Sequence, residues 1–391
     1  MSFLPNNINA IGITESIKAK IGEQIELPKC GFSLYGNNFI VWNTKEDGSG
    51  TSYEAGALFQ GETDLILYAK WRENFSDSAI IEELDGQKYV FFGDFPQTVL
   101  SLDSDITVNE NVTKRMGGYT YFLGSDGNWY FKSIENSYFK YVGDNYYYYS
   151  DGSKVSRLSQ NSYRYFKVEP IKWRVLSTSN NSLLLLSEKI IIANIGFYEG
   201  WTRDTVNSKS VRISEWKYSN IRAYLNGTQN QYVTDGGQQT EYDKDWSGNG
   251  FLQTAFISDS VEKIKTICIS NGAATTIDGS FGASQAYGSD TTEDKIFLLS
   301  RSEVTNRSYG FSSSSNGETD SSRSRKPTDF ALANFSYKLG SACSGYWWLR
   351  SPYYGDTSNV QVVDNNGSAY VSNSANSKVC GIVPALYIDL Q

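Results

Sequence analysis

The sequence predicts an α+β chain built as a small β-rich module followed by a larger domain of strands and short helices. Three observations carry that reading. Short β-prone runs alternate with Gly- and Asp-containing turns from one end of the chain to the other. A few brief segments between them carry helix caps and stops. Aromatic residues make up 15 % of the chain, with 28 Tyr beside 34 Gly, a composition typical of β-rich extracellular proteins that recognise with Tyr and turn on Gly. Its 391 residues suffice for two or three domains, each with a core of its own.

Charge and residue inventory narrow the chemistry. With 35 Lys+Arg against 43 Asp+Glu the net charge is -8, which supplies no counter-charge for a phosphate backbone, so nucleic acid is not an expected partner. The longest aliphatic run, residues 183–186, falls far short of the ~20 apolar residues of a membrane span, and a soluble chain is expected. The opening Met-Ser-Phe-Leu-Pro-Asn-Asn has neither a basic nor an apolar signal region, so either an export signal has been removed or export is not used. Histidine is absent altogether. Zinc triads of the usual kind, Ser-His-Asp relays and imidazole bases are thereby excluded, leaving carboxylate, lysine, tyrosine or cysteine chemistry. The four cysteines, Cys30, Cys268, Cys343 and Cys380, show no C-x-x-C spacing, so each reads as a small buried group or half of a disulfide, and no metal or cofactor is expected.

Residues 1–72 form the first unit. Its core runs Phe39-Ile40-Val41-Trp42-Asn43-Thr44, then the turn Asp47-Gly48-Ser49-Gly50 and Tyr53, and later Leu65-Ile66-Leu67-Tyr68-Ala69-Lys70-Trp71. Strand, turn and strand follow one another, with Trp42, Tyr53 and Trp71 as core aromatics. Residues 73–86 lose alternation and gain acidic and small side chains, so a linker is expected there, and a protease should cut it first.

The second unit covers residues 87–391. Tyr89-Val90-Phe91-Phe92 opens it, followed by a Tyr-rich insertion at about 113–165, where Ser125-Asp126-Gly127 and Ser150-Asp151-Gly152 turns between aromatic runs predict hairpins. Tyr146 to Tyr149 cannot all face one core. Strands are expected at 170–176, 182–187 and 295–300. Ser219 as N-cap, the Ile221/Leu225 pair and a Gly227 stop predict a short helix, and Thr328 with Asp329 in the first turn predicts another. Trp347-Trp348-Leu349-Arg350-Ser351-Pro352, a hairpin around Asp364-Asn365-Asn366-Gly367, and the run 381–390 close the chain.

In Trp42-Asn43-Thr44, Asp47-Gly48-Ser49-Gly50-Thr51, Tyr53 and Leu67-Tyr68-Ala69-Lys70-Trp71, the first unit closely resembles the Listeria-Bacteroides repeat, a B-repeat type of module. The resemblance implies a β-grasp-like spacer of exported bacterial proteins, without catalytic residues. The second unit resembles a bacterial domain family of uncharacterised function, related to the formylglycine-generating-enzyme branch of the C-type lectin fold. Seven ordered stretches carry this: Phe92 to Gln97, Ile171 to Leu176, Leu184 to Ser187, Ser219 to Asn226, Leu298 to Ser300, Trp347 to Pro352 and Gly381 to Leu386. The Tyr-rich insertion departs from the pattern, as does Val383 where the family usually has Arg. That fold implies that the first and last strands pair, here 89–91 with 386–390. It also implies that Cys343 and Cys380 lie near each other, which would permit a disulfide in an oxidising compartment. The calcium-dependent sugar signature of true lectins is absent, as is the closely spaced cysteine pair of the enzyme branch.

Candidate ligand-contacting residues lie at the C-terminal end. Val360, Val362, Ala369 and Val371 form an apolar frame, and strand alternation places Asn359, Gln361, Ser368, Tyr370 and Ser372 on the opposite, solvent side. Asn359, Gln361, Tyr370 and Ser372, with Tyr353, Tyr354, Asp356, Asp364, Asn365 and Asn373, form an expected ligand face with the composition of an antibody paratope. The variable proteins of diversity-generating retroelements, which share the lectin-like fold, rewrite such a face; a plain polar hairpin has the same composition. Trp347 and Trp348 read either as a stacking platform or as core, and Arg350 as a structural donor. The expected function is therefore a non-enzymatic, cell-surface or secreted bacterial protein that binds a protein or glycan ligand on a host or neighbouring cell. The alternatives are an enzyme, formylglycine-generating or carboxylate-dependent, and a structural component of an envelope or phage tail.

Overall fold

The computed structural model describes residues 1–61, 63–135, 147–155, 162–179, 181–198, 203–206, 209–229, 245–272, 290–312, 318–334, 344–353, 358–369 and 371–389. The fold is mostly β, arranged in several sheets. No helix among the described residues is long and apolar enough to cross a membrane.

In the first unit, β1 (Ser2–Leu4) runs parallel to β4 (Ile66–Glu73), which pairs antiparallel with β2 (Asn37–Asn43), and β3 (Ser52–Tyr53) closes the sheet. Trp42 is wholly buried, with the rings of Phe3 and Phe39 at 4.9 and 4.8 Å. The next residue sets the turn. Asn43 Oδ1 accepts from Lys45 N (2.9 Å) and Gly50 N (3.0 Å), while its Nδ2 donates to Gly48 O, Gly50 O and Ser52 Oγ. An amide can serve that many backbone groups only in a tight loop, which explains the Asn followed by a Gly-rich stretch.

The junction differs from the linker expected at 73–86. Ile80–Leu84 is a strand, β5, that forms a hairpin with β6 (Gln87–Val99) through Asp85-Gly86, both with positive φ (49° and 76°). Only residues 74–79 connect the units, and they are tied down. Arg72 and Asp94 form a buried ion pair at 2.8 Å, Arg72 also donates to Ser76 O and Ser78 O, and Phe75 N donates to Asp94 Oδ2. Ile40 and Val41 of β2 pack with Leu84 and Phe91, Asn38 donates to Val168 O, and Ser52 donates to Glu82. The first unit is therefore welded to the second along one side. Limited proteolysis should leave 74–86 uncut in the earliest fragments, read by intact-mass analysis; an early cut within 80–86 would show that the hairpin opens readily.

The large sheet is organised by β10 (Tyr163–Ser179). Its first residues pair with β9 (Trp129–Ile134), its middle with β6, and its end with β11 (Ser182–Ser187). Beyond β9 lie β8 (Tyr119–Gly124), which forms with it the hairpin expected around Ser125-Asp126-Gly127, and β7 (Val108–Met116), joined to β8 by a turn at Gly117-Gly118 that was not expected. Around Ser150-Asp151-Gly152 the described residues show a single bridge, Tyr148 to Lys154. Beyond β11 lie β16 (Ala385–Asp389) and β12 (Ile296–Phe297). All six residues of β11 are buried, as a strand covered on both faces requires. Pairing of the first and last strands of the second unit is not observed: 89–91 pair with 172–174, and β16 pairs with β11 and β12. Gly93, at φ 70°, sits at a break in the β6–β10 register, where a Cβ would come 2.4 Å from the Phe256 ring.

Helices pack on this sheet. Among them α1 (Asn220–Asn226) is capped by Ser219, whose Oγ accepts from Arg222 N at 3.0 Å, and is stopped by Gly227 at φ 61°. A capping box of Ser300 and Glu303 starts α2 (Arg301–Val304), and Thr328 Oγ1 accepts from Ala331 N at the start of α3 (Asp329–Asn334). A separate three-stranded sheet is formed by β13 (Trp347–Pro352), β14 (Asn359–Val363) and β15 (Val371–Ser374).

Candidate functional site

The small sheet holds the expected ligand face, and its frame is rigid. Trp347 and Trp348 are both 0 % exposed, so they are core rather than platform. Trp347 Nε1 donates to Arg323 O (3.1 Å). The turn after β14 is docked on the segment before α3. Arg323 Nε donates to Gly367 O at 2.6 Å, Asp320 N to Asn366 O and Ser324 Oγ to Asn365 O. Gly367 holds φ 84°, and a Cβ there would stand 1.8 Å from Asp320 O, so this contact requires glycine.

That docking redistributes the expected face. Asp364 Oδ1 accepts from Asn366 N and Ser368 N, both at 2.8 Å, so Asp364 builds the turn and, like Asn365, is half-buried. Gln361, expected in solvent, is 0 % exposed: a register shift in the β13–β14 pairing brings its Nε2 within 2.9 Å of Pro352 O. Ser368 is buried as well. Asn373 pairs with Val360, so it lies on the face opposite Gln361, and its Nδ2 donates to Cys380 Sγ at 3.1 Å. Asn359, half-exposed, shares a face with Ser372 and Ser374, while Tyr353 N donates to Asn359 O at 2.9 Å. The patch that remains around the strands is therefore Tyr353, Asn359 and Ser372, with Ser374 added, while Asn365, half-exposed like Asn359, sits on the docked turn. Tyr354, Asp356, Tyr370 and Cys343 lie outside the described residues. Cys380 is a free thiol whose burial pushes its pKa well above the usual thiol range.

Two concave regions complete the picture. Between the units, a cavity of about 430 Å³ is lined by Glu54, Glu169 and Glu188 among apolar and basic residues. Each carboxylate is engaged. Glu54 pairs with Lys172, Glu169 accepts from Thr98 N and Oγ1, and Glu188 holds Arg174 through two hydrogen bonds. Burial pushes Glu188 up, but Arg325, Arg174 and Lys172 outweigh it and hold it below the usual carboxylate range, the reverse of what a general acid needs. A second cavity, of about 300 Å³, lies where β8 and β9 meet α1 and α3, and its rings are Tyr119, Phe131, Tyr224, Trp246 and Phe330. Nothing in the local pattern marked these five, because they come from four distant stretches of chain; only the aromatic excess at 113–165 hinted at them. Among the described residues no group of three Cys, Asp or Glu could hold a metal ion.

The model of the family described as "Domain of unknown function (DUF6273)" matches residues 180–390. The chain belongs to this family. No curated protein and no solved structure matches it. The matched DUF6273 segment runs from β11 to β16, which pair from Ser182↔Asp389 to Leu186↔Ala385, so the segment closes on itself. It contains the whole small sheet, whereas β5 to β10 and the first unit lie outside it.

Proposed function

We propose that this chain is a binding protein without catalytic chemistry, displayed at a bacterial surface or secreted, which recognises a protein or glycan partner through Tyr353, Asn359, Ser372 and Ser374. The observation that carries the reading is a half-exposed polar patch on a sheet whose strands and turn are locked from behind by Trp347, Trp348 and Arg323. Side chains held on a rigid element lose little freedom on binding, which favours recognition. The ordered junction supports it further, because a first unit fused to the large sheet presents the patch in one fixed orientation. In the cavity between the units, Glu54 and Glu188 are committed to ion pairs and Glu188 is held below the usual carboxylate range, which counts against a proton-transfer role for these two acids.

Asn359→Ala and Ser372→Ala should each change unfolding free energy by no more than about 0.5 kcal/mol. Each should weaken binding to partners found on arrayed glycans and cell-surface proteins. Gln361→Ala should behave oppositely, losing about 1–3 kcal/mol of stability through the Pro352 carbonyl it leaves buried. Urea titration and surface plasmon resonance on the same variants decide the matter. Stability losses at Asn359 and Ser372 without any loss of binding would make the patch purely structural.

A further inference from the structure

We infer that the aromatic cavity between the Tyr-rich hairpins and the DUF6273 segment is a second binding site, built for a neutral carbohydrate. Its walls decide the ligand class. Five rings supply apolar surface, and the amides of Asn194, Asn249 and Asn334 with the Ser133 hydroxyl supply hydrogen-bonding groups. Among the described residues no Lys, Arg, Asp or Glu lines it, so none of them offsets the charge of a phosphate, sulfate or carboxylate ligand. The Asn334 amide already donates to Phe330 O, but an alkyl chain would leave those of Asn194 and Asn249 unpaired, at a cost of desolvation with no return. A pyranose suits both kinds of wall. Its C–H face carries partial positive charge that the negative face of an aromatic ring attracts, and its hydroxyls both donate to and accept from amides.

The site is also held in place. Tyr119 and Phe131 stack at 4.3 Å and 17°, with the Phe330 ring edge-on to Phe131 at 5.6 Å, and Trp246 meets Tyr224 edge-on at 4.9 Å. Tyr119, Phe131 and Trp246 nevertheless remain half-exposed, so the cluster is not a closed core. Trp246 Nε1 is a buried donor with no partner among the described residues, a group for which a ligand oxygen would supply the missing hydrogen bond. Asn194 sits at φ 66°, a conformation a non-glycine residue adopts at a cost of the kind that concentrates in binding sites. At about 300 Å³ the cavity matches one or two sugar rings and stands at the lower end of ligand pockets. Since Tyr119, Phe131 and Ser133 come from outside the matched family segment, ligand choice here belongs to this chain's own insertion.

The test is saturation-transfer NMR on the full chain with cellobiose, lactose, mannobiose and N,N′-diacetylchitobiose, beside 3′-sialyllactose and indole as charged and apolar controls. At least one neutral disaccharide should show transfer, and calorimetry should put its affinity about tenfold lower in Trp246→Ala and in Asn249→Ala. Asn249 is exposed, so its variant should keep the wild-type melting temperature. Asn359→Ala should leave this affinity unchanged, which separates the cavity from the small-sheet patch. No transfer from any neutral sugar at millimolar concentration overturns the proposal. So does tighter binding of sialyllactose or indole, or undiminished binding by both cavity variants.

Discussion

Arg72→Ala should lower the unfolding free energy by about 3–5 kcal/mol, the loss found when one partner of a buried ion pair is removed. The side chains are 0 % and 2 % exposed, and the pair sits where the first unit meets the large sheet. The guanidinium does more than neutralise a charge. It donates to both oxygens of Asp94, at 2.8 and 2.9 Å, and to the carbonyls of Ser76 and Ser78, which pins the only stretch connecting the units. Without it Asp94 keeps the Phe75 amide but stands as an uncompensated buried charge, already pushed upward by burial. The double variant Arg72→Met/Asp94→Leu should recover much of the loss, because apolar replacement of both partners removes the desolvation penalty. Chemical denaturation followed by fluorescence should show one transition in the wild type and two in Arg72→Ala, as the first unit uncouples. A single unshifted transition in Arg72→Ala would mean that the apolar contacts of Ile40 and Val41 alone hold the units together.

The junction also shows what the sequence conceals. Residues 80–91 read Ile-Ile-Glu-Glu-Leu-Asp-Gly-Gln-Lys-Tyr-Val-Phe, and the Asp85-Gly86 pair is a strong hairpin signal. Two adjacent glutamates obscured it. Glu82 is buried only because Ser52 and Lys70 of the first unit meet it, contacts at sequence separations no local pattern reveals. Gln361 fails for the same kind of reason. Alternation set it in solvent, but the break in β13–β14 pairing and the Pro352 carbonyl turn it inward. What local chemistry controls was legible: the Ser219 cap and Gly227 stop, the buried 183–186 run, and the hairpin flanking Ser125-Asp126-Gly127 all stand as expected. The aromatic cavity was not legible, since its rings converge only after β8, β9, α1 and α3 pack.

Arg350→Ala should cost about 3 kcal/mol near neutral pH, the low end of the range for a buried pair because the Glu303 side chain retains 25 % exposure. Arg350 joins the small sheet to the core: it grips Glu303 with two nitrogens, and NH1 also reaches Leu298 O at 2.7 Å. Glu303 in turn closes the cap of α2 by accepting from Ser300 N at 2.7 Å. Burial pushes this carboxyl up, yet Arg350 and Ser300 outweigh burial and hold its pKa below the ordinary 4.5. A carboxylate depressed in the folded state stabilises fully above its unfolded value, and that contribution fades as pH falls through the folded one. The penalty of Arg350→Ala should therefore be largest above pH 4.5 and shrink toward lower pH, where Glu303 is protonated in either protein. Removing the arginine should also raise the Glu303 pKa, since burial is then unopposed, and move the start of acid unfolding upward. Urea titrations from neutral pH into the acid range measure both effects. A penalty that stays constant across that range would assign Arg350's role to the Leu298 carbonyl alone, not to the ion pair.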